Sequence, residues 1–526
     1  MYAVDVAVLS QRQALLRAVG PVAAAKLLVQ LVFAGGYGYF RDELYYLACA
    51  RHLAWGYVDH PPLCVALLGL VHVTLGDSRF AWRLLPALAG TAVVLLAARL
   101  ARQMGGGRVA QVLAALAVLV APEYLAIDHF YSMNAFEPLF WTAAACVLAR
   151  IFTAQVREGE RTPLATWALL GVVLGLGLQN KLSVLWLVGG VGVGIVATRH
   201  RRLLLDPGLW LAAAIMAVLI APYVGWESAN GWPTREFVQH ATQDKMSRIA
   251  PGDFLLAQVA NMQPLTAPLW ISGLAGLLGW SKLERVRPLG IVYVAVLVLL
   301  LLQRGSRTEY LAPSYPILFA AGGVVAEAAT RAGRRRWLVA AYGGLLVIGG
   351  AAAAPLALPC LPVDRFVAYA RALGQAPSTE EKKEVGPLPQ FYADMFGWPE
   401  MTDAVLGVIA TLSPQERAHA VVLANDYGQA GAFEFFGTGR GMPPVVSGHN
   451  NYWLWGPADP EAHVVIRLNK DPEAPQWYAE QFEEVEARGS FSNAWNMPYE
   501  SGLTIYVCRR PKVPFGQTWE KRKHYD

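Results

Sequence analysis

Seven stretches of this chain (163–180, 182–198, 207–226, 254–281, 288–303, 310–326 and 337–363) contain no Asp, Glu, Lys or Arg. A helix needs roughly 20 mostly apolar residues to cross ~30 Å of hydrocarbon, so runs of this kind admit few folds other than a membrane bundle. Four further apolar stretches with few charges lie near 22–40, 80–98, 109–122 and 138–149. The pattern predicts a polytopic α-helical membrane protein with about eleven transmembrane helices. Composition agrees: only 16% of the 526 residues are charged and the mean hydropathy is +0.33, whereas globular domains carry about 25% charged residues. No small-residue cleavage site follows the first apolar stretch, which is expected to remain as helix one.

Short cytoplasmic loops collect Lys and Arg. Alternate loops hold Arg12 and Arg17; Arg99, Arg102 and Arg108; Arg150, Arg157 and Arg161; Arg199, Arg201 and Arg202; Lys282, Arg285 and Arg287; and Arg331 with Arg334 to Arg336. Eleven spans put all of them on one side. The N-terminus is then cytoplasmic, and everything after ~357 lies on the far side. Residues 358–526 change character, with dense charge, Pro and Gly punctuation and no span-length apolar run. AVVLAN (420–425), HVVIRLN (463–469) and LTIYVC (503–508) read as strands, and 401–412 and 473–487 have helical spacing. The expectation is a membrane module, 1–357, followed by a soluble extracytoplasmic α/β domain, 358–526. Cys360 and Cys508 would both lie on the oxidising side, where they could bond to each other or stay as two free thiols.

The polar residues that carry information sit in the loops opposite the basic ones. The first, 37–80, is long for a helical bundle and contains two short amphipathic pieces, 42–53 and 61–76, suited to the membrane interface. Asp42 and Glu43 open the first piece, where an enzyme acting on a lipid-borne substrate would place its general base. First-turn acids equally suit a helix N-terminus. Asp59-His60 precedes Pro61-Pro62. Asp128, His129, Asn134 and Glu137 form a second cluster, and an ionisable residue inside an apolar span such as Glu137 points to function. Lys181 stands alone between charge-free runs and invites an anionic partner, though snorkelling explains it as well. The 227–253 loop holds His240 and Lys245, and a last group holds Arg304, Arg307, Glu309 and Tyr310. No Walker A sequence or His-Glu-x-x-His is present, so no nucleotide cofactor is expected. The basic clusters form no continuous stripe, which excludes nucleic acid as a partner.

Tyr39-Phe40-Arg41-Asp42-Glu43-Leu44-Tyr45-Tyr46 with Tyr57-Val58-Asp59-His60-Pro61-Pro62-Leu63 resembles the first loop of the dolichyl-phosphate-mannose–protein mannosyltransferase-like group, glycosyltransferase family 39 and its bacterial relatives, of the GT-C fold. Ser132-Met133-Asn134-Ala135-Phe136-Glu137-Pro138, Gly175-Leu176-Gly177-Leu178-Gln179-Asn180-Lys181 and Tyr310-Leu311-Ala312-Pro313-Ser314-Tyr315-Pro316 resemble further signatures of that group. Ala393 to Trp398 and Ser447 to Trp453 in the tail resemble a bacterial subgroup. The resemblance implies a bacterial inner-membrane enzyme that moves a sugar, with inversion, from a polyprenyl-phosphate donor to an extracytoplasmic lipid, glycan or protein. It implies Asp42 as the catalytic acid residue with Glu43 beside it. Lys181, His60 and Arg41 are then the expected donor-phosphate ligands, and Asn134, Glu137 and Tyr310 the expected substrate contacts. A relative that adds aminoarabinose to lipid A uses an acid before Lys-Pro-Pro to bind a metal. Here that acid is Asp59, but His60 replaces the lysine. Asp59 and His240 are the candidate ligands for a divalent ion, the one cofactor the resemblance admits. The rival reading from the same hydrophobicity is a transporter or lipid-linked sugar flippase. Transporters, however, favour repeated halves and midplane polar residues, and neither pattern is visible.

Overall fold

The computed structural model describes residues 2–154, 162–303, 305–330 and 336–526; Arg157, Arg161, Arg304, Arg331, Arg334 and Arg335 lie outside the described residues. Seven helical stretches are long and apolar enough to cross a membrane: Leu15–Phe33, Arg79–Gln103, Met133–Ala154, Pro207–Ala229, Ser281–Gln303, Thr308–Thr330 and Trp337–Leu356. Four shorter apolar helices, Arg108–Val120, Leu164–Asn180, Val184–Val196 and Pro264–Gly279, stand at the four remaining expected positions. The protein is a multi-pass membrane protein. The apolar run 163–198 breaks at Lys181, whose backbone is extended (φ −156°, ψ 132°). The run 254–281 is broken as well, into helices Pro251–Asn261 and Ala267–Gly279. The break falls at Gln263, at φ 67°, because the following Pro264 disfavours helical geometry in the residue before it.

The first loop folds as two short helices, Arg41–Arg51 and Leu63–Leu75, matching the two amphipathic pieces. Pro61-Pro62 supplies the start of the second, where a missing N–H costs nothing. In the tail, a five-stranded mixed sheet is built from β1 (Ala420–Ala424), β2 (Val445–Ser447), β3 (Val464–Asn469), β4 (Phe482–Phe491) and β5 (Leu503–Pro511), in the order β2-β1-β3-β5-β4. β2, β1 and β3 are parallel, while β5 runs antiparallel to both β3 and β4. The helical expectation for 473–487 holds only to Gln481; from Phe482 the chain is strand. β4 is an edge strand carrying Glu483, Glu484, Glu486 and Arg488. Such charges keep an edge from pairing with other chains, and in sequence they look like a solvated helix.

One apolar core joins the first loop to the tail. Leu44, Tyr45, Leu47 and Val65 share it with Trp398, Val405, Val422, Phe433, Ile466 and Ile505. Helix Tyr427–Gly437 lies directly on helix Arg41–Arg51. A Cβ at Gly431 would stand 2.9 Å from the Leu44 carbonyl carbon, so only glycine permits this approach. Cys360 and Cys508 do not bond to each other: both are free thiols, and Cys508 is buried in β5 opposite Val465 and Val485.

Candidate functional site

A cavity of about 1030 Å³ opens where the first loop, the loops around 123–134, 181, 241–246 and 307–310, and the tail segment 366–394 meet. Its apolar wall includes Phe40, Phe130, Leu356, Phe366 and Phe391, and its polar wall includes Arg41, Asp42, Asp59, Lys181, Lys245 and Arg307.

Asp42 and Glu43 part company here. Consecutive helical residues point about 100° apart, and here Asp42 lines the cavity while Glu43 does not. Asp42 lines the cavity and its Oδ1 accepts a hydrogen bond from the Tyr427 hydroxyl at 3.1 Å. Burial lifts its carboxyl above the ordinary value, against the pull of Arg41, Lys245 and the Tyr427 bond. Glu43 is fully buried and engaged elsewhere. Its carboxylate accepts from Arg83 Nε (3.0 Å) and Nη2 (2.9 Å), from the Tyr131 N–H (2.9 Å) and from the Phe40 N–H (2.8 Å). The last bond caps the helix; the others tie it to helix Arg79–Gln103 and to the loop at Tyr131. The helix-end explanation therefore describes Glu43, and the cavity-facing position belongs to Asp42.

Arg41 is 6% exposed, donates Nη1 to the Tyr499 hydroxyl (3.1 Å), sits 3.7 Å from Asp426 and lies over the Tyr427 ring at 4.5 Å. Asp59 also faces the cavity and accepts from the Tyr45 hydroxyl at 3.0 Å. His60 does not reach it. The ring is 1% exposed and stacked on Tyr46 at 4.6 Å, where it fills an aromatic layer. Lys181, Asn134 and Tyr310 line the cavity together. Lys181 Nζ donates to Asn134 (2.8 Å) and to Glu137 (2.7 Å) and stands 5.1 Å from the Tyr310 ring. Burial opposes the charge on Lys181, but Glu137 and its other acidic neighbours hold its pKa above the ordinary value. Glu137 itself is buried behind Lys181, where it also accepts from Ser183. The sequence cluster is thus a relay in which Glu137 fixes Lys181, which in turn faces the cavity.

His240 Nδ1 faces the Tyr525 carbonyl at 3.1 Å. Asp59 faces Tyr45 and His60. Neither belongs to a three-donor group among the described residues, so this pair does not fit a metal ion as placed. The three donors that do converge are His449, His524 and Asp526, within 4.8 Å of one another.

Several cavity residues carried no individual signal in the sequence. Lys245 makes no ion pair and no side-chain hydrogen bond among the described residues. Burial lowers its pKa, with Glu381 acting in the opposite sense. Arg307 is clamped by Glu381 (2.6 Å) and Glu309 (3.5 Å). Glu380 accepts from the Thr308 N–H (3.0 Å), and burial pushes its carboxyl up to about 8. Asp394, whose carbonyl receives the Arg41 N–H, is raised to about 7, chiefly by burial. Tyr427, Glu380, Glu381 and Asp394 come from the tail, hundreds of residues from Asp42, and no local spacing could have joined them to it.

Residues 59–226 match the family model described as dolichyl-phosphate-mannose-protein mannosyltransferase. A curated relative, the polyprenol-phosphate-mannose–protein mannosyltransferase of Corynebacterium glutamicum, is 28% identical over 155 residues; the match spans 26% of this chain and 30% of that protein's length. Among solved structures, ArnT from Cupriavidus metallidurans in the apo state superimposes with a TM-score of 0.60 at 14% identity, covering 93% of this chain and 97% of that one. The same protein bound to undecaprenyl phosphate gives 0.58 at 15% identity, with the same coverage. The chain is a membrane protein with the fold of ArnT, and its residues 59–226 are similar to the dolichyl-phosphate-mannose-protein mannosyltransferase family.

Proposed function

We propose that this protein transfers a sugar from a polyprenyl-phosphate donor to a hydroxyl or phosphate of an extracytoplasmic lipid, glycan or protein, with inversion. The observation that carries the reading is the juxtaposition of the Asp42 carboxylate with the uncommitted Lys245 ammonium in one part-apolar cavity. In this reading 1–357 is the membrane module in the bacterial inner membrane, the N-terminus is cytoplasmic, and 358–526 is extracytoplasmic. The donor class is supported by the similar proteins: one is a polyprenol-phosphate-mannose–protein mannosyltransferase, and ArnT has been solved with undecaprenyl phosphate.

The chemistry follows from the residues. The acceptor oxygen attacks the anomeric carbon as the bond from that carbon to the phosphate oxygen breaks on the opposite face, which inverts the centre. The acceptor's proton passes to Asp42, and the polyprenyl phosphate leaves with an added negative charge. A positioned carboxylate base contributes ~10²–10⁴-fold. Charge on the departing phosphate is met by Lys245 with Arg41 and Arg307, all three of which line the cavity. Lys181, already neutralised by Glu137, serves the same cavity as a weaker contact. No step is assigned to a metal ion.

Binding of undecaprenyl phosphate to the purified protein tests the phosphate assignment. Lys245→Ala is expected to weaken it about tenfold, the loss of one charge-assisted hydrogen bond. Unchanged affinity would take Lys245 out of the site, and a larger loss in Lys181→Ala would move the phosphate to Lys181.

A further inference from the structure

We propose that Tyr427, contributed by the tail, is the positioning residue for the Asp42 carboxylate, fixing which oxygen takes the acceptor's proton. The proposal rests on the reading of Asp42 as the base and deepens it. A lone aspartate leaves its terminal torsion broad, with no single favoured setting, so a base at the start of a helix needs a second group to aim it. Tyr427 supplies that group. Its hydroxyl donates to Oδ1 at 3.1 Å, while Oδ2 has no hydrogen-bond partner among the described residues and Asp42 lines the cavity. Oδ2 is therefore the oxygen left to accept the proton.

The donor is itself held. The Tyr427 ring is stacked on Tyr45 at 4.5 Å, lies under the Arg41 guanidinium at 4.5 Å and meets the His449 ring at 4.7 Å. Tyr427 is the first residue of helix Tyr427–Gly437, whose N-cap Asp426 accepts from the N–H groups of Gly428 (2.7 Å) and Gln429 (3.0 Å). Burial keeps the phenol well above its ordinary pKa, with Asp42 acting in the same sense, so the hydroxyl remains a donor. The close approach at Gly431 sets this helix against the helix that bears Asp42. The tail therefore completes the site instead of merely covering it. In the transfer step, the acceptor oxygen bonds to the anomeric carbon as the polyprenyl phosphate leaves, and Asp42 Oδ2 receives the proton while Oδ1 stays on Tyr427.

The groups that face Asp42 are Arg41 and Tyr46 on its own helix, Asp59 from the same loop, Lys245, and Asp394 and Tyr427 from the tail. The Tyr427 bond stabilises the ionised carboxylate, so removing it favours protonation. Tyr427→Phe keeps the ring and its clamp but removes the bond. It is expected to lower kcat about tenfold, to leave the donor KM unchanged, and to move the acid limb of the kcat/KM profile to higher pH. A role in packing alone predicts no movement of that limb. Wild-type kcat and an unmoved limb in Tyr427→Phe, alongside an inactive Asp42→Asn, would overturn the proposal and leave the base assignment standing. An active Asp42→Asn would remove both.

Discussion

Asp42→Asn is expected to lower sugar transfer by at least ~10²-fold, the lower end of what a lost general base costs. The measurement is the rate of transfer in proteoliposomes made from the native lipid extract, which supplies the donor, with an envelope fraction added to supply the acceptor. Asparagine keeps the size of the side chain and can still accept from Tyr427, but it takes up no proton. As a helix-end residue it would also serve nearly as well as aspartate, so a capping role predicts almost no change. Undecaprenyl phosphate binding should change little, because the cations assigned to the phosphate are Lys245, Arg41 and Arg307. The raised carboxyl of Asp42 adds a pH signature. The base must be ionised to act, so activity should fall on the acid side at a higher pH than an ordinary aspartate would give. Near-normal transfer by Asp42→Asn would pass the role to Asp59, the other carboxylate of this loop that lines the cavity.

Glu43→Ala is expected to destabilise the fold by about 3–5 kcal/mol, the cost of removing one partner from a buried ion pair. Glu43 and Arg83 are 0% and 1% exposed, and the carboxylate receives two backbone N–H groups besides the guanidinium. Truncation leaves the Arg83 charge without its carboxylate, alongside the carbonyls of Ala34 and Gly38 and the His129 ring. Thermal unfolding of the detergent-solubilised protein reads the effect. Glu43→Gln should lie between the two and, per folded molecule, should retain transfer activity. Wild-type stability in Glu43→Ala would contradict the anchoring role. Loss of turnover in a folded Glu43→Gln would return Glu43 to the chemistry.

The two carboxylates show what the sequence could and could not disclose. Their placement at the head of an amphipathic segment was legible, because apolar spacing and the prolines at 61–62 define the two loop helices. Which acid faces the cavity was not, since that depends on the rotation of helix Arg41–Arg51 about its axis. Arg83 and the tail set that rotation. The seven span-length helices and four shorter apolar ones among the described residues fall where the charge-poor stretches lie. The break at Gln263 was marked only by Pro264, whose effect on its neighbour is local and easily lost in a long apolar run. His60 looked like a phosphate ligand by its neighbourhood in the chain but is consumed by stacking on Tyr46. Lys245 looked like one charge among several in a polar loop. Its significance lies in making no ion pair and no side-chain hydrogen bond among the described residues, a property of three-dimensional packing. The tail's β4 was missed because its acids, at 483, 484 and 486, lack the alternation of a half-buried strand and imitate a solvated helix.

This cavity is expected to transfer a polyprenyl-phosphate-linked sugar to an envelope acceptor. Mass spectrometry of envelope lipids, glycans and glycoproteins tests it most directly, comparing a deletion strain with the same strain carrying the wild-type chain or Asp42→Asn at equal membrane levels. The account predicts a sugar-bearing species that disappears on deletion, returns with the wild-type chain and stays absent with Asp42→Asn, while the acceptor lacking that sugar accumulates. Restoration of the species by Asp42→Asn, or an envelope unchanged by the deletion, would contradict it.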